Sequence, residues 1–193
     1  MASTANQALH QVLIAQGAPP SHLERMTNLL QLVAQNPACV ALGLVGSYAK
    51  GGGDRISDLD LVALTVEGTA HDFIRQAHTA LDNGEVLNWY SGTHGSRGSF
   101  RKYVYLDFAS CELHAFDLPT DFKLRRPYIA VWDPRNLLET CVVEGEAPGQ
   151  EEFDAYQHGD EGLVWELVDC IKWLRRGRVT LTKDYLRRLV AKF

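Results

Sequence analysis

Asp58-Leu59-Asp60-Leu61 alternates carboxylates with leucines and runs directly into an apolar stretch ending at Val66, short enough for a single strand. Alternation with period two puts both acids on one face of that strand and both leucines on the other. The leucine face therefore enters a core, while the acid face borders solvent or a bound cation. A second apolar run, Cys39–Val45, stops at Gly46-Ser47, so two buried strands flank a glycine-rich connection. Glycine at 46 lets backbone amides approach an anion, and Ser47 adds a hydroxyl donor. A helical turn beginning there offers unpaired N–H groups to a phosphate. Lys50, three residues after Ser47, either touches such a phosphate or faces solvent. Two neighbouring carboxylates repel each other, and a divalent cation relieves the repulsion. Mg²⁺ in particular is held by one or two carboxylates together with substrate phosphates. A surface hairpin with solvated aspartates accounts for neither the glycines nor the acids in a strand, where Asp is disfavoured.

The segments Gly46-Ser-Tyr-Ala-Lys-Gly-Gly and Ser57-Asp-Leu-Asp-Leu-Val-Ala-Leu resemble the G-S-x-A-x-G…S-D-x-D signature of the DNA polymerase β-like nucleotidyltransferases. The strong resemblance covers Gly43–Leu64, with a looser likeness of element order to about residue 190. It is closest to the small bacterial members, such as aminoglycoside and lincosamide nucleotidyltransferases and their minimal relatives. The resemblance implies an α/β (α+β) fold with a mixed sheet flanked by helices. It also implies transfer of a nucleoside monophosphate, AMP from ATP or the corresponding unit of another nucleoside triphosphate, to an acceptor hydroxyl. Asp58 and Asp60 would hold one or two Mg²⁺ ions, and Gly46 and Ser47 the β- and γ-phosphates. Lys172 resembles a helix lysine that some members direct toward the triphosphate.

That family usually draws a third carboxylate from a neighbouring strand, and the hairpin around Ala109-Ser110 offers two. Glu112 shares a strand face with His114 and Phe116, whereas Asp107 follows Tyr103 and Tyr105 toward the turn. Glu112 matches the family position better, as a third metal ligand or as the base that deprotonates the acceptor. Glutamate there, in place of the commoner aspartate, departs from the pattern. Asp107 reads equally as a turn residue capping Ala109-Ser110. His114 is positioned to orient Glu112 or to line the pocket, and His94, beside Arg97, is a candidate lid contact. His10, His22, His71, His78 and His158 show no ligand spacing, and Trp165 and Trp173 read as core.

With 193 residues, 46% hydrophobic and 22% charged, the chain suits a modest enzyme with its own core. Neither a signal peptide nor a membrane span is read from it. Cys39, Cys111, Cys141 and Cys170 are far apart in apolar surroundings, which suggests reduced thiols in a cytoplasmic protein without a zinc site. The net charge of −5 is unevenly spread: residues 171–193 carry 8 basic and 1 acidic side chains, while Asn136–Ile171 holds ten acids and no Lys or Arg. That acidic stretch suits a cationic small acceptor, an aminoglycoside for example, or a solvated surface. A nucleic acid acceptor is disfavoured, because basic side chains gather only at the end. The other class of function is a regulatory protein on the same fold, an antitoxin that binds or nucleotidylates a partner protein.

The chain divides into N-terminal helices (1–37), a catalytic core (38–150) and a C-terminal helical region (151–193). Helices are expected at Ala5–Gln16, from a Ser21–Glu24 capping box to Asn36 with Leu23, Met26, Leu30 and Val33 as its stripe, and at Ala70–Leu81. Two more are expected at Glu161–Arg176 and Thr182–Phe193. Strands are expected at Cys39–Val45, Asp58–Val66, Glu85–Tyr90, Tyr103–Phe108, Cys111–Phe116 and Tyr128–Asp133, with Ser91–Ser99 a mobile loop rich in Gly and Ser.

Overall fold

Cys39–Leu44 (β1) and Leu59–Thr65 (β2) pair antiparallel, with Leu42 opposite Ala63 and Leu44 opposite Leu61. The structure, a computed structural model, describes residues 2–145 and 154–193. Strand β2 runs parallel to β5 (Ser110–Asp117), which is antiparallel to β4 (Gly98–Tyr105), itself antiparallel to β3 (Val86–Thr93). A short β6 (Ile129–Trp132) joins the far side of β1, completing a six-stranded mixed sheet in the order β3-β4-β5-β2-β1-β6. Helices α1 (Ala2–Ala15) and α2 (Pro20–Gln35) precede the sheet, one turn of α3 (Gly46–Ala49) follows β1, and α4 (Ala70–Leu81) follows β2. Mixed pairing with helices between strands is the expected α+β architecture.

The two faces of the sheet are covered differently. Leu59, Leu61 and Ala63 of β2, with Cys111, Leu113 and Ala115 of β5, bury one face against Met26, Leu29, Phe73, Ala77 and Leu81 of α2 and α4. Removing each large side chain of this layer from water contributes about 2–3 kcal/mol. On the opposite face Ala41 and Leu64 meet Leu124, Leu138 and Cys141 of the irregular segment after β5. That segment leaves the ends of β2 and β5 bearing Asp58, Asp60 and Glu112 outside the cluster.

Local residues explain where α4 starts. Asp117, 5% exposed, closes β5, and its Oδ1 accepts hydrogen bonds from Thr65 Oγ1 (2.8 Å), Thr69 N (3.0 Å) and Ala70 N (2.8 Å). One carboxylate thus satisfies the first amides of the helix and ties it to the ends of two strands. A different solution appears at α2. The helix begins at Pro20, a residue suited to the first turn, and no capping box forms: the Ser21 hydroxyl instead donates to Asp107 Oδ2 at 3.2 Å. Met26 and Val33 are buried as expected, with Leu23 and Leu30 only partly covered. His22 and Arg25 take inward places, Arg25 lying 3.3 Å over the Tyr105 ring.

Ser91–Ser99 is not a mobile loop. Ser91, Gly92 and Thr93 pair with Arg101, Phe100 and Ser99, leaving only residues 94–97 outside the hairpin. Gly92 is required there because a Cβ would sit 2.4 Å from the Phe100 ring. Small residues read as a flexible linker here serve close packing.

The chain splits into two compact units, Met1–Gly145 and Glu146–Phe193. The second contains α5 (Gly159–Arg175) and α6 (Val179–Val190), joined through Gly177 at φ +74°. Its core gathers Ala155, Cys170, Trp173, Tyr185 and Leu189, and Trp165 is also buried. All four cysteines are buried free thiols. No helix among the described residues is long and apolar enough to cross a membrane.

Candidate functional site

The connection between β1 and β2 is held from below by buried polar side chains. Tyr48, fully buried, donates its hydroxyl to the Asp54 carbonyl at 2.7 Å, and Gln16 spans the loop by bonding Tyr48 O (2.9 Å) and Gly53 N (2.7 Å). Asp54 Oδ1 accepts from Ile56 N at 3.0 Å and from Ser57 Oγ at 2.9 Å. Beneath Ser57 lies His22, fully buried, whose Nε2 is 3.1 Å from the Ser57 carbonyl. Burial pushes this imidazole down to about 4, so it is neutral and donates to that carbonyl. The chain is thereby fixed immediately before Asp58.

Asp58 and Asp60 then meet the Gly-Ser turn. Val45 N donates to the Asp60 carbonyl at 2.9 Å, and α3 turns away at Gly46 with φ +69°. A Cβ at Gly46 would lie 1.8 Å from Asp60 Oδ2, so only glycine allows the turn to rest against this carboxylate. Asp58 Oδ1 accepts a short hydrogen bond from the Ser110 hydroxyl at the start of β5. The Gly46 turn thus rests on Asp60, and Asp58 is tied to Ser110, at one end of the interior strands β2 and β5. Lys50 caps α3 and is exposed.

Glu112 sits opposite Asp60 in the parallel pairing of β2 and β5, on the same face. Both of its oxygens are engaged: Lys102 Nζ lies 3.0 Å from Oε1 and His114 Nε2 lies 3.0 Å from Oε2. Burial disfavours the charge on Glu112, but Lys102 and the His114 hydrogen bond outweigh burial and pull it down to about 2. His94 Nε2 is 2.8 Å from His114 Nδ1, one ring donating to the other. The two rings stack at 5.0 Å, and His94 stacks on Phe116 at 5.1 Å, so His94 belongs to a packed wall. Asp107 lies in the β4–β5 turn, where its Oδ1 accepts from Ala109 N at 2.9 Å, the turn-capping arrangement. An open pocket of about 590 Å³ lies between Gly17–Ser21, Arg55, Glu85 and the Leu106–Asp107 turn.

Lys172 belongs to the second unit, where it is 3% exposed, 3.6 Å from Asp169 Oδ1 and 5.3 Å over the Trp165 ring. Among the described residues no group of three or more His, Cys, Asp or Glu side chains is arranged to hold a metal ion. The donor set at Asp58 and Asp60 fits Mg²⁺ that takes its remaining ligands from triphosphate oxygens and water. Glu112, in register with Asp60, has both of its oxygens engaged by Lys102 and His114. Sequence reasoning missed Lys102, Ser110 and His22. Lys102 shares one face of β4 with Phe100 and Val104, but nothing local marks its partner.

No protein-family model matches the chain, and no curated protein matches it. Among solved structures it is similar to the RNA terminal uridylyl transferase Cid1, at 14% identity over 58% of this chain and 35% of that one, with a TM-score of 0.34. It is also similar to a cytoplasmic RNA terminal U-transferase, at 16% identity over 58% of this chain and 36% of that one, with a TM-score of 0.36. At these scores the activity of neither neighbour is carried onto this chain.

Proposed function

We propose that the chain is a Mg²⁺-dependent nucleotidyltransferase that moves a nucleoside monophosphate from a nucleoside triphosphate, ATP in the first instance, to the hydroxyl of a small acceptor. The observation that supports this most is the meeting of the Gly46-Ser47 turn with the Asp60 carboxylate, beside Asp58. A divalent cation bound by Asp58 and Asp60 supplies positive charge to the triphosphate. The acceptor hydroxyl oxygen attacks the α-phosphorus and gives up its proton to solvent water, the α–β bridging P–O bond breaks, and pyrophosphate leaves with the bonding electrons. Gly46 and Ser47 hold the departing phosphates in line, and Lys50 lies at the outer side of the same turn. The chain's contribution is positioning and electrostatics. Glu112 can take the acceptor proton only if Lys102 or His114 gives up its hold on one of the two carboxylate oxygens.

A cationic acceptor remains the preferred kind, with less support from the acidic stretch. Glu139 bonds Arg126 and the Tyr128 hydroxyl, Glu166 accepts from Tyr156 N and Gln157 N, and Asp160 takes the Tyr156 hydroxyl. Asp169 faces Lys172. Glu146, Glu151 and Glu152 lie outside the described residues. The preference therefore rests on these three together with Glu144, Asp154 and Glu161. The regulatory, partner-binding alternative is favoured by one feature: Val164, Leu167, Ile171 and Leu174 form an exposed apolar stripe on α5.

Incubation with α-labelled ATP or UTP, Mg²⁺, a panel of aminoglycosides and lincosamides, and a cell lysate tests both. Label on a small molecule supports transfer to an antibiotic-like acceptor, and label on protein supports the regulatory alternative. No label in any fraction removes nucleotidyl transfer.

A further inference from the structure

Asp60, Glu112 and Lys102 form one row across three adjacent strands, because Glu112 is in register with Asp60 on one side and with Lys102 on the other. Side chains in register on neighbouring strands share a face. The Lys102 and Glu112 side chains are 15% and 20% exposed and 3.0 Å apart. Ion pairs at this depth are strongly coupled to their surroundings, and removing one partner leaves a poorly solvated charge. Lys102 and His114 between them occupy both oxygens of Glu112. A second cation on Glu112 would have to displace Lys102 and the His114 hydrogen bond together.

We propose that Lys102 is a built-in counter-charge for Glu112, so that the site takes a single divalent cation, on Asp58 and Asp60, where a two-ion site would place a second ion against Glu112. Lys102 is a positioning and charge-setting residue, and its role rests on the nucleotidyl-transfer reading. Replacing it with methionine keeps the chain length, removes the ammonium and restores the full negative charge that draws a second ion.

The experiment is a Mn²⁺ titration of the whole chain saturated with α,β-methylene ATP, or with its UTP counterpart, counting bound ions by electron paramagnetic resonance. Wild type is expected to bind one Mn²⁺ beyond that carried by free nucleotide, and Lys102→Arg the same. Lys102→Met is expected to bind two, returning to one in Lys102→Met/Glu112→Gln. Glu112→Gln alone is expected to leave Mn²⁺ affinity within about twofold of wild type. Two ions in wild type, or a tenfold loss of affinity in Glu112→Gln, overturn the inference even if Lys102→Met fails to fold. Lys102→Met that folds and still counts one ion also overturns it, and if nucleotide binding is lost as well, Lys102 is a phosphate contact. Absence of nucleotide-dependent Mn²⁺ binding in wild type, unchanged by Asp60→Asn, removes the nucleotidyl-transfer reading itself.

Discussion

At the scale of single residues, the site depends on a few contacts that tolerate no substitution. Gly46 has a positive φ and no room for a methyl group beside Asp60. Gly46→Ala should cost about 1–3 kcal/mol in urea unfolding and displace the Asp60 carboxylate, weakening Mn²⁺ binding. Asp58→Asn and Asp60→Asn should abolish label transfer while leaving the melting temperature unchanged or raised, since each removes one of two like charges. Undiminished activity in both variants ends the carboxylate assignment. His22 gives a pH signature. Its folded-state value of about 4 lies below the unfolded value of 6.5, so between these limits the unfolded chain binds more protons and stability is lost as the pH is lowered. Between pH 7.5 and 5 the loss attributable to His22 is about 2 kcal/mol, nearly all of it absent from His22→Asn. Urea midpoints of the two proteins at both pH values test it.

At the scale of elements, α4 and the β2–β5 pair share one anchor. The Asp117 carboxylate accepts the Thr65 hydroxyl and two amides at the start of α4, so its removal strands three donors at once. Asp117→Ala should cost about 2–3 kcal/mol, and Asp117→Asn, which keeps an acceptor oxygen, about half of that. Chemical denaturation reads both, and equal cost in the two variants would show that charge, not hydrogen bonding, anchors the helix. The apolar run of β1, the period-two patterns of β2 and β5 and the apolar spacing of α4 were plain in the sequence, because each is a property of neighbouring residues. The first part of β3 was legible too, but its end and most of β4 were not. Gly92 and Gly98 read as loop chemistry until Phe100 and Phe116 are seen beside them.

At the scale of the whole molecule, the thiols lie in separate clusters of unequal size. Cys39 and Cys111 lie in the large core of Met1–Gly145, whereas Cys170 lies in the small core of the second unit. Burial pushes the Cys39 thiol up to about 12 and Cys170 to about 11, so neither reacts while buried. A smaller core buries less surface and opens more readily. Cys170 should therefore be labelled by a disulfide reagent at lower denaturant than Cys39 and Cys111, as followed by peptide mass spectrometry. Simultaneous labelling of all three would mean a single cooperative transition.

The sequence by itself determined the strands that flank the glycine-rich turn, the alternation of Asp60 with Leu59 and Leu61, and the capping role open to Asp107. Each follows from spacing within a dozen residues, where backbone geometry alone sets direction. Only the tertiary structure decided that Lys102 faces Glu112, that Ser110 bonds Asp58 across 52 positions, and that His22 supports Ser57 across 35. Those partners are chosen by strand register and by helix docking onto the sheet. Both are settled when apolar faces are buried together, and a shift of one residue would turn every one of these side chains to the other face.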